Sequence, residues 1–347
     1  MSVAHAHREL DGLRWAGLSG PRLEVFRALG EEYRAEIAEA VHSLPEWPAL
    51  DRYARTDTGL VRLSRLSALT RVNHAQEYAE LAAMAQGANQ SERTLLLVNL
   101  RGDLPAQASS AGCSDLAWPG RVFAHNEDGG AELAGRLLLV TLDCAGEVPV
   151  TALWYPGMLP SNAFTLTGHG LVFGLDHLPV TEPAIAPGRH FVARAVHRAR
   201  DLDEAVRLLT ELPSAGGFAY NLAELRTGRV AHVEAAAGSS AVEEAGEGPF
   251  WHTNHLRHLD LPELVTRSSR ERAKVLDALE PPAEPDVEWF LDVLTSPHPR
   301  GVCRQPAEGD TATLATCVVD LAAAELTVVP SSGKRFTCSV AAALAGP

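Results

Sequence analysis

Several protein classes are excluded by what this 347-residue chain lacks. Its five cysteines, Cys113, Cys144, Cys303, Cys317 and Cys338, are odd in number and contain no C-x-x-C pair, so neither a thiolate zinc cage nor a disulfide framework is indicated. No Lys/Arg run interrupts an acidic excess of formal charge −14, which repels phosphate backbones and anionic lipid. Nucleic acid and membrane surfaces are therefore excluded as partners, and a small-molecule or protein partner is favoured. The longest apolar stretches, such as Leu137 to Leu142 and Cys317 to Val329, fall far short of the roughly 20 residues that span a bilayer. Met1 to Leu10 has neither a basic start nor an apolar run of signal length, so a cytoplasmic protein with reduced thiols is expected. No internal repeat and no low-complexity linker is present apart from the Pro281 to Pro285 turn.

Hydrophobic residues make up 46% of the chain, enough for a large core. From Pro21 to Leu44 apolar residues recur every three or four positions, which predicts a helix ended by Pro45 and Pro48. A second helix carries Tyr78, Leu81 and Ala85 and stops at Gly87, and a β-prone run covers Thr94 to Leu100. The first hundred residues read as mainly helical. Beyond them, Val122 to His125, Leu137 to Asp143, Val148 to Tyr155 and Ala163 to Gly174 are β-prone runs with connections too short for crossover helices, so antiparallel pairing is expected. Helices are predicted at Asp201 to Leu212, capped by Asp201, at Ser268 to Leu279 and at Asp286 to Leu294. Strands are predicted at Arg229 to Ala235, with a hairpin over Thr313 to Asp320 and Glu325 to Pro330. The pattern suits an α+β architecture of layered antiparallel sheets under helices.

Cys113 follows Ala111-Gly112 and a small polar stretch, Gln107 to Ser110, which suits a cleavable loop. A thiol has a pKa of about 8.5 and needs a base, whereas a free α-amino group titrates near 7.7 to 8.0 and can supply one. Cleavage of Gly112-Cys113 would create nucleophile and base in one residue. Gly112 has no Cβ and tolerates the distorted backbone that an attack on its own carbonyl demands. A packed structural thiol is the competing reading of Cys113 taken alone.

The segment AGCSDLAWPGRVFAHNEDGG resembles the processing site of the penicillin acyltransferase (acyl-CoA:6-aminopenicillanate acyltransferase-like) family of autoproteolytic N-terminal nucleophile hydrolases, related to the bile-salt and penicillin amidases. Glu77 to Leu81 through Gly87, Leu97-Val98-Asn99-Leu100, His252-Thr253-Asn254-His255, Val302-Cys303-Arg304 and Thr313 to Asp320 recur in that family's order. The resemblance extends from about Leu69 to the C-terminus. It implies one four-layer αββα domain over residues 1–347, self-cleaved into 1–112 and 113–347, which stay associated.

The resemblance also assigns roles. Cys113 is the nucleophile, Asn254 the oxyanion-hole donor, Asp128 the carboxylate that orients the new amino group, and Arg304 an arginine near the active cysteine. His125, Asn126, Asp176 and His255 are the implied substrate contacts. His125, Glu127 and Asp176 depart from the residues usual at those places. The three-residue spacing of His252, His255 and His258 lacks a carboxylate at metalloprotease spacing, so these read as structural histidines and no metal is assigned. No cofactor is expected, although an acyl-CoA or carrier-bound thioester would serve as donor substrate. The expected activity is acyl transfer through an acyl-Cys113 thioester. Its acceptor is an amino-acid-like or peptide-derived amine of secondary metabolism, or water in an amidase. An unprocessed ligand-binding protein and a homo-oligomeric state both stay open.

Overall fold

The computed structural model describes residues 2–105, 112–306 and 311–347. The stretch Gln107–Ser110 and Ala111, read above as a cleavable loop, lies outside the described residues.

The chain opens with a hairpin, β1 (Ala4–Leu10) and β2 (Leu13–Gly20). Six helices follow: α1 (Arg22–Glu32), α2 (Arg34–Ser43), α3 (Trp47–Tyr53), α4 (Asp57–Asn73), α5 (Ala75–Gly87) and α6 (Glu92–Asn99). After Cys113 come β3 (Ser114–Trp118), β4 (Val122–Gly130), β5 (Leu138–Cys144), β6 (Val150–Trp154), β7 (Thr165–Thr167) and β8 (Leu171–His177). Helices α7 (Arg189–Val196) and α8 (Leu202–Glu211) then lead to β9 (Gly217–Glu224), β10 (Val230–Ala236), β11 (Ser239–Glu244) and β12 (Phe250–His252). The last part comprises α9 (Arg267–Asp277), α10 (Val287–Thr295), β13 (Thr311–Asp320), β14 (Glu325–Pro330), β15 (Phe336–Ser339) and α11 (Val340–Ala345).

Among the described residues the strands form two sheets, β1-β2-β5-β6-β7-β8-β9-β10-β11 and β12-β3-β4-β13-β14-β15. Pairing is antiparallel throughout except that β2 runs parallel to β5. The sheets meet where β3 and β4 approach β8. Period-two alternation decides which side chains face the gap. On β8 to β10, Phe173, Leu175, Tyr220, Leu222, Val233 and Ala235 point outward and pack with Val196, Leu202, Ala205 and Leu209 of α7 and α8 or their junction. On the other sheet Leu116, Val122, Ala124 and Val318 point outward against Leu276 of α9 and Phe290 and Leu294 of α10. Helices thus cover both outer faces, giving the α+β, helix–sheet–sheet–helix layering.

The first hundred residues differ from the sequence reading in three places. Ala4 to Gly20 is a hairpin, and Thr94 to Leu100, predicted as a strand, belongs to α6. Ser91 caps α6 by accepting from Thr94 N at 3.0 Å, and a run of Leu95 to Val98 is buried on every side, so β-propensity is overridden by the cap and by burial. The predicted Pro21 to Leu44 helix is broken at Tyr33 into α1 and α2. Downstream, the predicted helices match α8, α9 and α10, and Asp201 caps α8 through Glu204 N at 2.8 Å.

Candidate active site

Strand register builds the site. In β3 and β4, Ser114 faces Asn126 and Asp115 faces His125, so the next step outward sets Cys113 opposite Glu127. In β12, His252 pairs with Asp115, and two further residues bring Asn254 level with Cys113. Asp128 pairs directly with Thr313 of β13, where a β-bulge between Thr313 and Ala315 shifts the register. Bulges of this kind re-aim side chains beside reaction centres.

Cys113 is buried, and its Sγ lies 3.9 Å from the carbonyl of Asp128. Burial first, then the nearby Glu127, Asp176 and Asp128 carboxylates, hold its thiol pKa well above the ordinary value. In the uncut chain this sulfur is a neutral thiol that needs a base.

Arg272 of α9 organises the backbone around it. Its guanidinium donates to the carbonyl of Cys113, to Ser114 Oγ at 2.7 Å and to Asn254 Oδ1 at 2.6 Å. A Cβ on Gly112 would stand 2.8 Å from Arg272 Nη2 and 3.2 Å from Asn254 Oδ1, so glycine keeps this approach open. Asn254 is held on both sides: its N–H donates to Ser269 Oγ at 2.9 Å and its Nδ2 to the carbonyl of His177 at 3.1 Å.

Asp128 Oδ1 accepts from Thr313 Oγ1 at 2.7 Å, while Oδ2 is buried without a partner among the described residues. Burial pushes its pKa up to about 6, against the pull of Arg272, Thr313 and Arg304. Arg304, the one arginine expected here, donates its guanidinium to Ser268. It acts on Asp128 by charge, whereas the direct clamp on the Cys113 segment is Arg272. Sequence reasoning missed Arg272, although the signal was present: Ser269, Arg272, Ala273 and Leu276 share the buried side of one helix, and a buried arginine there requires partners.

His125 sits between two carboxylates, with Nδ1 3.1 Å from Asp115 and Nε2 3.0 Å from Glu127. Burial lowers its pKa, but Asp115 and Glu127 outweigh that and hold it well above the usual range. It is an imidazolium with both nitrogens occupied. Tyr155 donates to the other oxygen of Glu127 at 2.6 Å. A Cβ on Gly174 of β8 would overlap Asp115 and His125, so this position in the facing sheet has to be glycine.

The remaining implied substrate contacts are placed differently. Asn126 points to the outer face of β4, donating to the carbonyl of Leu294 at 2.7 Å and accepting from Thr316 at 2.6 Å. Asp176 is buried between the sheets against His252 and Asn221. His255 is bonded to Ser269 Oγ at 2.8 Å. Neither these three nor His125 lines the cavity at Cys113, whose walls include Glu127, Tyr155, Asn162, His177, Arg189 and Arg101.

That cavity measures about 50 Å³, against roughly 300 to 1,000 Å³ for small-molecule sites. It shares Arg101 with neighbours of about 200 Å³, bounded by Leu44 and Tyr155, and about 320 Å³, bounded by His177 and Arg189. A larger cavity of about 550 Å³ lies elsewhere, but its polar walls are largely occupied by ion pairs such as Arg194 with Glu80 at 2.8 Å, so it is not the reaction site.

A buried cysteine thus stands beside a glycine, an asparagine amide and a carboxylate with one oxygen unpaired among the described residues, between two helix-covered sheets. The chain belongs to the acyl-coenzyme A:6-aminopenicillanic acid acyl-transferase family, whose model matches residues 118–335, more than half of its length. It is accordingly an enzyme of the acyltransferase and amidohydrolase kind. The matched span holds Asp128, Asn254, Arg272 and Arg304, and Cys113 stands just ahead of it. Among solved structures, the chain resembles a mutant conjugated bile acid hydrolase from Clostridium perfringens at 12% identity and TM-score 0.41, covering 67% of this chain and 93% of that one. A penicillin V acylase from Agrobacterium tumefaciens is similar at 11% identity and TM-score 0.39, with 66% and 86% covered. These overlaps are too loose to transfer a residue or a substrate. No curated protein matches the chain. No helix among the described residues is long and apolar enough to cross a membrane.

Proposed function

We propose that the chain activates itself by cutting Gly112-Cys113 and then transfers acyl groups through a Cys113 thioester, with an amino-acid-like or peptide-derived amine as acceptor. The observation that carries this reading is the position of Gly112 and Cys113 within the Arg272–Asn254 clamp, close to an Asp128 oxygen that has no partner among the described residues.

The steps balance as follows. Sγ attacks the Gly112 carbonyl carbon, the C–N bond to Cys113 breaks, and the departing nitrogen takes the thiol proton to become a free amine. Water then hydrolyses the thioester, leaving the Gly112 carboxylate and a free thiol. In turnover the α-amine accepts the Cys113 proton, and the thiolate attacks the donor carbonyl. The leaving group takes that proton, and the acceptor amine opens the acyl-enzyme. Asn254 stabilises each oxyanion, and Asp128 holds the ammonium form. The acyl donor is a thioester of coenzyme A or a carrier, used as a substrate, and no cofactor enters the chemistry.

Arg189 and Arg101 in the cavity walls supply positive charge for an acceptor carboxylate. Burial lowers the Arg189 pKa only to about 10, so it stays charged at neutral pH. Two contacts support lasting association of the cut pieces. Strand β2 is paired along its length with β5, and Asp103 accepts from Gly216 N at 2.6 Å and Arg189 N at 3.2 Å.

Intact mass spectrometry of the purified protein tests the reading. Wild type should give fragments 1–112 and 113–347, and Cys113→Ala one chain. A wild-type chain that stays whole after prolonged incubation removes the proposal and favours a ligand-binding protein. For cleaved enzyme, a thioester donor offered with and without amino acids separates transfer from hydrolysis. A release rate unaffected by any amine favours the amidase.

A further inference from the structure

Between the sheets, away from Cys113, three side chains converge, with the two imidazole rings tilted against each other at 4.6 Å between centroids. His232 and Glu234 are two apart on β10 and so share its inner face, and His252 reaches them from β12 of the other sheet. All three are fully buried. Glu234 Oε1 lies 3.8 Å from the Nε2 of each histidine, beyond hydrogen-bond reach, and neither Nε2 has a partner among the described residues.

The surrounding bonds fix what those atoms are. Asn221 spends its NH2 on two carboxylates, Asp115 at 2.7 Å and Asp176 at 3.1 Å. Its Oδ1, 2.8 Å from His232 Nδ1, must therefore accept. His232 therefore carries a proton on Nδ1, and its Nε2 is the ring atom turned toward Glu234. His252 Nδ1 likewise donates to Asp176 at 2.8 Å. The Glu234 carboxylate is pinned by backbone N–H groups of Arg257 (2.5 Å), His258 (3.1 Å) and Leu259 (2.8 Å). A carboxylate oxygen facing two imidazole nitrogens in a sealed space, with no hydrogen bond between them, calls for positive charge there, either a proton on a ring nitrogen or a metal ion.

We infer that His232 Nε2, His252 Nε2 and Glu234 Oε1 bind one zinc-type divalent ion that clamps the two sheets together. Two imidazoles and a carboxylate are a common three-residue zinc donor set, with water as fourth ligand. The outer nitrogens of both histidines are already committed to Asn221 and Asp176, the arrangement that orients metal-binding imidazoles. Zn–N bonds of about 2.0 to 2.1 Å imply ligand separations of roughly 3.3 Å, so the 3.8 Å spacings need to close by a few tenths of an ångström. Neither His255 nor His258, the other members of the H-x-x-H spacing, contributes a ligand. The ion would serve structure, since its ligands are apart from the cavity at Cys113.

The full chain, produced with zinc in the medium and exchanged into chelator-free buffer, decides the matter by elemental analysis and thermal denaturation. Wild type should hold about one zinc per chain, and Glu234→Gln and His232→Gln less than a tenth of that. A strong chelator should lower the wild-type Tm by several degrees and added zinc restore it, while a folded variant is unmoved. Two results overturn the site: wild type that takes up no zinc and shows no shift with metal or chelator, or zinc retained equally in both variants. The first leaves a proton on His252 Nε2 as the bridging cation. The wild-type measurement suffices if the variants do not fold.

Discussion

Arg272 holds Asn254 by its Oδ1 at 2.6 Å, and that one contact determines which end of the amide can donate. With the oxygen occupied, Nδ2 is the donor end. In the uncut chain it spends one proton on the carbonyl of His177 and keeps the second for an oxyanion. Arg272→Lys preserves charge but loses the fork that grips Cys113, Ser114 and Asn254 together. Self-cleavage should slow by about two powers of ten, followed as loss of the full-length band with time. Cleavage at the wild-type rate would remove Arg272 from the machinery.

Asn254→Ala should cleave slowly and, once cleaved, turn over about a hundred to a thousand times less rapidly with little change in KM. Steady-state kinetics on the cleaved form checks this. An unaltered kcat would rule out its role as donor.

Asp128 ties activity to stability in opposite directions. Its folded pKa of about 6 lies above the ordinary value of 3.8, so folding disfavours its ionised form. That penalty is absent below the unfolded pKa, grows as pH rises toward 6, and is constant above it. Asp128→Asn keeps the Thr313 bond and should raise Tm at pH 8 while leaving it unchanged at pH 3.5. Thiol alkylation of cleaved enzyme should lose its rise through pH 6 to 8 in the same variant, since the ammonium no longer has its carboxylate. A lower Tm at pH 8 would show that Arg272 and Arg304 outweigh burial.

His125→Ala leaves Asp115 and Glu127 buried without their cation and should cost about 3 to 5 kcal/mol. Adding Glu127→Gln should recover part of that loss, measured by chemical denaturation. Cysteine reactivity of the cleaved enzyme should persist if the double variant folds, with its profile moved to lower pH by the loss of the Glu127 charge, because an imidazolium with both nitrogens occupied is no base.

Much of the layering was legible because alternation and capping are local. Asp201 before Leu202 and Asp286 before Val287 announce their helices, and Thr313 to Asp320 is an apolar, β-prone run that becomes a buried central strand. The site was legible where a motif fixes residue order, as at Cys113 and Asn254. What stayed hidden depends on sequence-distant contacts. Arg272 reaches Cys113 across 159 positions, and Asn221 meets Asp115 across 106. Asn126 shows the reverse error: one residue of register separates it from His125 and Glu127, and that single step turns it to the far face of the sheet.

Asp103→Ala strips the acceptor from two buried N–H groups, Gly216 and Arg189, and should destabilise the fold by about 2 to 4 kcal/mol. In cleaved protein the same change should hasten release of fragment 1–112, read by size-exclusion chromatography in mild denaturant. Equal retention would show that strand pairing alone holds the pieces.

The place of β2 in the larger sheet gives the first fragment a protective duty. With the order β1-β2-β5, losing that fragment would strip β5 of its neighbour and present Leu138-Leu139-Val140-Thr141-Leu142 as an open, uncharged edge. Such an edge recruits other strands and seeds aggregates. If the proposed cut severs it, that piece would act by staying as an internal chaperone, whose departure would convert a working enzyme into a template for insoluble assembly.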